Sequence, residues 1–260
     1  MRLVTYDRGG QRRLGAILEG EVVDLPDAVG HPAFPTTLEA LVASSRGSIM
    51  EAARAALLRD DVWDQRVVRP HILTPLFPRS LLSPGAHDLE RRIVGPEQEA
   101  PWPRDAAWLD YEPKVAAVVG AEARKVGPDE IRSHVFGYTL VNDWTARDAS
   151  GTPVGSADGV PIAIGPCVVT TDEVDPQSMF LQVKIDGEEV VKGNLNGATR
   201  NLFRLVSGAS QLAELERGDA FALGPFERPE PDPRRRLWPG ATVELAAEGI
   251  GTLRNTIAAR

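Results

Sequence analysis

Short apolar runs recur along the chain, and glycine or proline stands beside most of them. The runs at 115–119, 136–141 and 162–170 have the composition of buried strands, because β-branched and aromatic residues favour an extended backbone. The pair Asp186-Gly187 between two further runs predicts a hairpin with a two-residue turn. One long helix is predicted over 202–215. The sequence therefore predicts a mainly β protein of the α+β class, built as a barrel or roll.

The first seventy residues have a pattern of their own. Three short strands precede two predicted helices, over 38–43 and 49–58, and the turns between the strands are predicted at Gly9-Gly10 and Glu19-Gly20. A passage with four prolines follows and has the composition of a linker. We therefore predict a small N-terminal α+β domain at 1–70 and a larger C-terminal domain at 71–260, which contains the active-site cleft.

The composition excludes several classes of function. The net charge is −8, from 37 acidic and 29 basic residues, which argues against a nucleic-acid binder. One cysteine, Cys167, allows no intrachain disulfide and suits a reducing cytoplasm. The chain has no apolar run of about 18 residues and no apolar stretch typical of a signal peptide. These features predict a soluble cytoplasmic protein that binds neither nucleic acid nor a membrane.

Carboxylates in the central region suggest chemistry. Asp110 and Glu112 alternate at strand spacing and are predicted to point to the same side, while Asp143 follows the end of a predicted strand. Two or three such groups on facing strands would supply the oxygens that a hard divalent cation binds. Spacing alone favours a plainer interpretation, in which these are surface charges at strand ends.

The segment 136–148, Phe-Gly-Tyr-Thr-Leu-Val-Asn-Asp-Trp-Thr-Ala-Arg-Asp, resembles the central signature of the fumarylacetoacetate hydrolase family. The residues at 110–112 and 249–257 continue the likeness in the family's order, so that it covers roughly 79–257. The resemblance implies a mixed β-roll or barrel with a small N-terminal domain, commonly in a homodimer. It also implies a Mg²⁺ or Ca²⁺ site that holds a 1,3-dicarbonyl compound or a 2-oxo acid.

The metal ligands that the resemblance implies are incomplete in this chain. Glu112 and Asp143 match two of them, whereas Lys114 stands at the position of a further Glu and Ser83 near that of an Asp. An ammonium group is positive and offers no oxygen, so this set makes a poor site for a hard cation. We therefore predict that Lys114 takes the place of the cation between the two carboxylates. No metal cofactor is expected, and Mg²⁺ or Ca²⁺ binds only if the site is retained.

The other implied site residues are altered as well. The signature arginine is present, but a glutamate stands where the family's hydrolases carry a histidine base, and a histidine lies one helical turn before it. The predicted catalytic residues are Lys114, Arg147, Glu90 and His87. The predicted substrate contacts are Tyr138, Ser150, Leu223 and Phe226.

The sequence leaves three functions open. The first is a metal-independent enzyme, of tautomerase, lyase or cyclase type, acting on a dicarbonyl, oxo acid or polyketide-like molecule. The second is a divalent-metal-dependent C–C bond hydrolase or decarboxylase of the acylpyruvate or fumarylacetoacetate type, with its site completed by groups such as Asp88 or Asp158. The third is a non-catalytic protein that binds a small molecule or a partner through the same cleft.

Overall fold

Strands hold more of the described chain than helices do, as the recurrent apolar runs predict. The computed structural model describes residues 1–44, 47–83, 91–155, 159–176, 178–194, 202–224 and 236–259. The strands are β1 Arg2–Arg8, β2 Gln11–Leu18, β3 Glu21–Asp24, β4 Ile72–Leu73, β5 Ser80–Leu82, β6 Arg91–Val94, β7 Glu99–Ala100, β8 Trp108–Asp110, β9 Pro113–Val119, β10 Val135–Asp143, β11 Thr145–Arg147, β12 Val160–Thr170, β13 Phe180–Ile185, β14 Glu188–Asn194, β15 Asp219–Leu223, β16 Thr242–Ala247 and β17 Gly251–Ile257. The helices are α1 Leu25–Val29, α2 Leu38–Ala43, α3 Gly47–Leu57 and α4 Leu202–Leu212. The predicted mainly β class is confirmed.

Three sheets organise these strands. The largest has ten strands in the order β3-β2-β1-β12-β10-β9-β15-β5, with β4 and β6 attached beside this path. A second sheet has the order β14-β13-β16-β17-β7, and β8 pairs with β11 in a third. Every residue of β9 and β10 is buried, so the centre of the large sheet is covered on both faces. That position explains the continuous apolar runs, because a strand covered on both faces does not alternate.

The two faces of the large sheet carry different clusters. Val115 and Leu140 pack in one extensive core with Val183 and Leu245 of the second sheet. On the opposite face lies a small cluster of Ala116, Val141, Ile162, Ile164 and Ala222. The side chains of this second face are shorter, and they border the site described below.

The N-terminal strands extend the large sheet. β1 is antiparallel to β12, with Arg2 opposite Val169, and β2 and β3 follow at the sheet's edge. The helix α2 covers the same bounds as predicted, and its residues pack in one cluster with Phe136 and Val168 of the C-terminal part. The sheet thus runs through the boundary placed at residue 70, and the division into two domains stays a prediction.

Local predictions succeed where turn chemistry is explicit. Asp186 and Gly187 have φ values of 49° and 84°, the left-handed pair that a two-residue hairpin turn needs. The helix predicted over 202–215 ends earlier, at Leu212. A short 3-10 helix lies at Ile131–His134, before β10. In the described part of the chain, no helix is long and apolar enough to cross a membrane.

Candidate functional site

Lys114 lies at the centre of a buried group of polar side chains. Its Nζ donates hydrogen bonds to Asp143 Oδ2 at 2.8 Å and to Ser83 Oγ at 2.6 Å, and it lies 3.0 Å from Glu112 Oε2. Ser83 Oγ also donates to Asp143 Oδ2 at 2.8 Å. These four residues, the Lys114 cluster, are each less than 10% exposed. The cluster holds one cation and two carboxylates out of water, the arrangement that the sequence predicts for these side chains.

Strand register brings the cluster together. Lys114 is opposite Val141 across β9 and β10, and Asp143 follows on the same face because side chains alternate along a strand. The Asp143 amide donates to the Glu112 carbonyl oxygen at 3.0 Å and fixes the entry to β9. Ser83 directly follows β5, whose first residue donates through its hydroxyl to Asp219 on the neighbouring β15 at 2.7 Å. Each side chain is therefore set by the sheet.

A second polar group lies on the two-stranded sheet of β8 and β11. Arg147 donates to Asp110 Oδ2 at 3.2 Å and to the Gly151 carbonyl oxygen at 2.8 Å, and it stands opposite Trp108. Thr145, on the same face of β11, donates to Glu112 Oε1 at 2.7 Å. Thr145 thus links the Arg147 group to the Lys114 cluster. Sequence reasoning assigned no role to Thr145, although its alternation with Asp143 and Arg147 was visible.

The expected pairing of Asp110 and Glu112 on one strand is wrong. β8 ends at Asp110 and β9 begins at Pro113, so the chain changes strand between the two carboxylates. Asp110 pairs with Arg147, and Glu112 with Lys114. The signal for this break was Pro113, because proline is common at the first residue of a strand.

Two predicted substrate contacts lie on the other face of the large sheet. Tyr138 is opposite Ala117, and Leu223 is opposite Val115, so both side chains point away from Lys114 and into the main core. Burial raises the pKa of the Tyr138 hydroxyl well above its ordinary value of 10.0. The structure does not bring these two residues to the cluster, because both belong to positions whose side chains alternate away from it.

Ser150 lies in an exposed turn after β11. Its hydroxyl donates to Asp148 Oδ1 at 2.6 Å, and the Thr152 amide donates to the same oxygen at 2.9 Å. These hydrogen bonds, led by that of the Ser150 hydroxyl, lower the pKa of Asp148. Ser150 therefore closes the turn that holds the Gly151 carbonyl against Arg147, and no contact joins it to the Lys114 cluster in the described residues.

The remaining predicted residues are not covered by the description. His87, Glu90 and Phe226 lie outside the described residues, as do Asp88 and Asp158. The catalytic roles of His87 and Glu90 and the substrate contact of Phe226 stay predictions.

An apolar recess continues from the cluster along the same face of the sheet. Val141, which lies opposite Lys114, and Ala116, two residues along β9, line it together with Ile164 and Leu81. Thr139 adds a hydroxyl group to this lining.

A sequence profile described as "Fumarylacetoacetate (FAA) hydrolase C-terminal" matches residues 84–258. This match covers more than half of the chain and includes the Arg147 group and the Lys114 cluster except Ser83. The chain therefore belongs to the fumarylacetoacetate hydrolase family, as its signature at 136–148 indicates.

Two relatives show the range of activities in sequences similar to this one. The chain is 32% identical over 177 residues to 2,4-didehydro-3-deoxy-L-rhamnonate hydrolase of Sphingomonas sp. (strain SKA58), a match covering 64% of this chain and 61% of that protein. It is 29% identical over 156 residues to oxaloacetate tautomerase YisK of Bacillus subtilis (strain 168), covering 57% and 52%. The chain thus spans less than two thirds of the length of either relative. Family membership leaves the reaction type open.

A solved structure shares the whole fold. Maleylpyruvate hydrolase from Sphingobium sp. SYK-6, in complex with manganese(II) ion and pyruvate, superposes with a TM-score of 0.74 over 99% of both chains at 19% identity. At this identity the likeness concerns the fold alone.

The Lys114 cluster does not fit a divalent cation, which the family implies. Lys114 Nζ lies within 3.0 Å of both carboxylates, where a shared cation would lie, and Ser83 contributes a neutral hydroxyl. Hard cations such as Mg²⁺ and Ca²⁺ need about six or more oxygen ligands. No group of three or more His, Cys, Asp or Glu side chains among the described residues is arranged to hold a metal. The donor set favours an ammonium over a metal ion.

Proposed function

We propose that this chain is a metal-independent tautomerase of a small 2-oxo acid or 1,3-dicarbonyl compound. The observation that carries the proposal is the position of Lys114 Nζ, within 3.0 Å of Glu112 Oε2, Asp143 Oδ2 and Ser83 Oγ. The ammonium stands where family members are expected to hold their cation, and it brings a fixed positive charge to the buried cluster.

Tautomerisation makes limited demands on a site. One proton leaves the carbon beside the carbonyl group and one arrives on oxygen, so the reaction consumes neither water nor a second substrate. Negative charge develops on the enolate oxygen, and a positioned cationic donor stabilises it. A hydrolase must also position and activate water, and the carboxylates of the Lys114 cluster and the Arg147 group, Glu112, Asp143 and Asp110, are all held in ion pairs.

Lys114 would reach the substrate by exchanging one partner. Its bonds to Asp143 and Glu112 are ion pairs between buried groups, whereas its bond to Ser83 involves a neutral hydroxyl. Replacing the weaker acceptor costs least, so the substrate carbonyl oxygen would take the place of Ser83 Oγ. Arg147 would orient the molecule, and His87 and Glu90 stay the predicted carriers of the proton.

The relatives support this choice of reaction. The Bacillus subtilis relative is named for the tautomerisation of oxaloacetate, a compound that is both a 2-oxo acid and a 1,3-dicarbonyl. The hydrolase relative acts on a deoxy sugar acid by its name. Of the two reactions, tautomerisation is the one that a lone ammonium can assist without a metal-bound water.

Enol absorbance gives a direct test. We expect the full chain to accelerate ketonisation of oxaloacetate or acetylpyruvate in the presence of EDTA, followed by the decay of the enol band. Lys114→Met should lower kcat/KM by about 100-fold or more, because it removes the charged donor at the enolate oxygen. Lys192→Met is the matched control on the exposed strand β14. A triple variant, Lys114→Met with Glu112→Gln and Asp143→Asn, keeps the cluster neutral and reports activity if the single variant unfolds.

Other outcomes identify the other functions. Saturable micromolar binding of Mg²⁺, Mn²⁺ or Ca²⁺, with turnover that EDTA abolishes, would reject the metal-independent proposal and favour a hydrolase or decarboxylase. Ligand-induced thermal stabilisation without turnover of any dicarbonyl or oxo acid would also reject it and favour a binding protein.

A further inference from the structure

Among the described residues, two guanidinium groups lie over the Trp108 ring. The guanidinium carbon of Arg147 lies 5.5 Å from the centre of the Trp108 ring, and that of Arg236 lies 4.8 Å from it. Arg147 and Trp108 are buried, whereas Arg236 is exposed. Asp110 pairs with Arg147, but no carboxylate among the described residues pairs with Arg236. Arg147 is therefore paired, whereas Arg236 has no carboxylate partner among the described residues.

Two N–H donors beside the ring lack an acceptor. Trp108 Nε1 and Arg147 Nε are both buried, and neither has a hydrogen-bond partner in the described part of the chain. The two residues are directly opposed across β8 and β11, so both donors belong to one cross-strand pair. Buried donors in native proteins are nearly always satisfied, and a group that only accepts hydrogen bonds would satisfy both of these.

We infer that Arg236, Trp108 and Arg147 form a subsite for a carboxylate group. Arg236 supplies the charge at the exposed entrance, and Trp108 Nε1 and Arg147 Nε are the inner donors. The Leu237 amide donates to the Leu109 carbonyl oxygen at 2.9 Å, which fixes Arg236 beside β8. The planar guanidinium fork matches the two oxygens of a carboxylate, and an ammonium would not.

The subsite rests on the proposed function in one point: the carboxylate that it binds is taken to be part of the substrate of the tautomerase. Arg147 and Thr145 share a face of β11, two residues or about 7 Å apart. Thr145 contacts Glu112, which contacts Lys114. A substrate that spans both groups has its carboxylate a few carbon atoms away from the carbonyl that Lys114 polarises. Arg236 then selects oxo acids over neutral diketones.

Calorimetric titration of the full chain with malonate and succinate tests the subsite. Saturable binding is expected for the wild type, and Arg236→Gln should weaken it about tenfold or more, because a charge-assisted bond is lost. Trp108→Phe keeps the ring and removes Nε1–H, so a smaller weakening is expected. Arg54→Gln is the matched control, because Arg54 is also an exposed arginine but pairs with Asp172 far along the chain. Malonamide and inorganic phosphate serve as comparison ligands.

The outcomes separate the subsite from the proposed function. Equal malonate binding by the wild type and by Arg236→Gln would overturn the subsite, as would malonamide or phosphate binding as tight as that of malonate. Malonate binding that depends on Arg236, in a protein without tautomerase activity, would leave the subsite standing and reject the proposed function. If the Arg236→Gln variant turns over both neutral acetylacetone and oxaloacetate with the same KM as the wild type, the tautomerase proposal stands and the subsite is rejected.

Discussion

Two buried ion clusters in this molecule differ in how far their cations are exposed to water. Near the N-terminus, the Asp24 carboxylate accepts hydrogen bonds from Tyr6 Oη at 2.5 Å, Arg8 at 2.7 Å and Arg13 at 2.8 and 3.0 Å. Arg8 and Arg13 also pair with Asp27, at 2.7 and 2.5 Å, so this Asp24 cluster holds two cations and two carboxylates. The side chain of Arg8 is 52% exposed and that of Asp27 38%, so water hydrates part of the cluster. Asp24 also accepts from the Asp27 amide and caps helix α1.

The Lys114 cluster is closed to water. Its ammonium contacts two carboxylates, and the side chains of Lys114, Glu112 and Asp143 are 6%, 8% and 0% exposed. The difference teaches that water can hydrate a charge that loses its partner in the Asp24 cluster but not in the Lys114 cluster. The buried carboxylates therefore depend more strongly on the cation that contacts them.

Removing that cation should have the largest effect. Lys114→Met removes the ammonium that contacts both buried carboxylates, Glu112 and Asp143, and the free energy of unfolding should fall by about 3–5 kcal/mol. Urea denaturation at pH 7 measures the loss. The triple variant with Glu112→Gln and Asp143→Asn is the control, and it should recover most of the stability. Equal stability of wild type and Lys114→Met would show that the cluster is not the buried ion group described above.

Neutralising Asp24 should cost less. Asp24→Asn keeps an acceptor for the helix cap but loses charge-assisted bonds, so unfolding should become easier by about 2 kcal/mol at pH 7. Burial acts to raise the pKa of Asp24, but hydrogen bonds from Arg13 and Tyr6 outweigh it and hold the pKa below the ordinary 3.8. The folded protein therefore binds this proton less readily than the unfolded chain. The stabilisation is complete above about pH 4 and is lost as pH falls through the lowered pKa.

Denaturation of wild type and Asp24→Asn between pH 7 and pH 2 measures this dependence. The two curves should converge in acid. A constant difference down to pH 2 would contradict the role of the ionised carboxylate. Arg54→Gln, which alters an exposed ion pair with Asp172, should stay within about 0.5 kcal/mol of wild type.

The smallest effects on stability are expected from removing one hydroxyl group from each cluster. Tyr6→Phe removes a donor to Asp24, and Thr145→Val removes a donor to Glu112. Asp24 keeps its arginine donors, so Tyr6→Phe should cost about 0.5 kcal/mol, whereas Thr145→Val should cost about 1.5 kcal/mol. Thermal unfolding of both variants measures the two costs. The reverse order would mean that the Asp24 cluster depends more on its hydroxyl donor than the Lys114 cluster does.

Much of the fold was predictable from local pattern. The strands β9, β10 and β12 begin and end within two residues of the predicted apolar runs. A strand that is buried on both faces has a continuous apolar sequence, which is easy to recognise. The short strands β8 and β11 were missed, since three residues carry too little pattern to detect. They nevertheless hold Asp110 and Arg147 together.

The site was predictable only where the family signature reaches. Lys114, Glu112 and Asp143 are neighbours because of cross-strand register, and the signature implied that register. Tyr138 and Leu223 were misplaced because the face of a side chain flips with a one-residue change of register, which a single sequence does not reveal. Arg236 is separated from Trp108 by more than a hundred residues, and no local pattern links such positions.

The pairing of β1 with β12 bears on how the molecule folds. Residues near position 2 meet residues near position 169, so the large sheet is completed by one of its most distant contacts in sequence. Such a contact closes a long loop, and non-local pairings of this kind slow folding. Until β1 docks, β12 has an unpaired edge near Val168 and Val169, beyond the residues that pair with β6, and other chains can pair with such an edge. By covering this edge, the N-terminal segment limits such pairing.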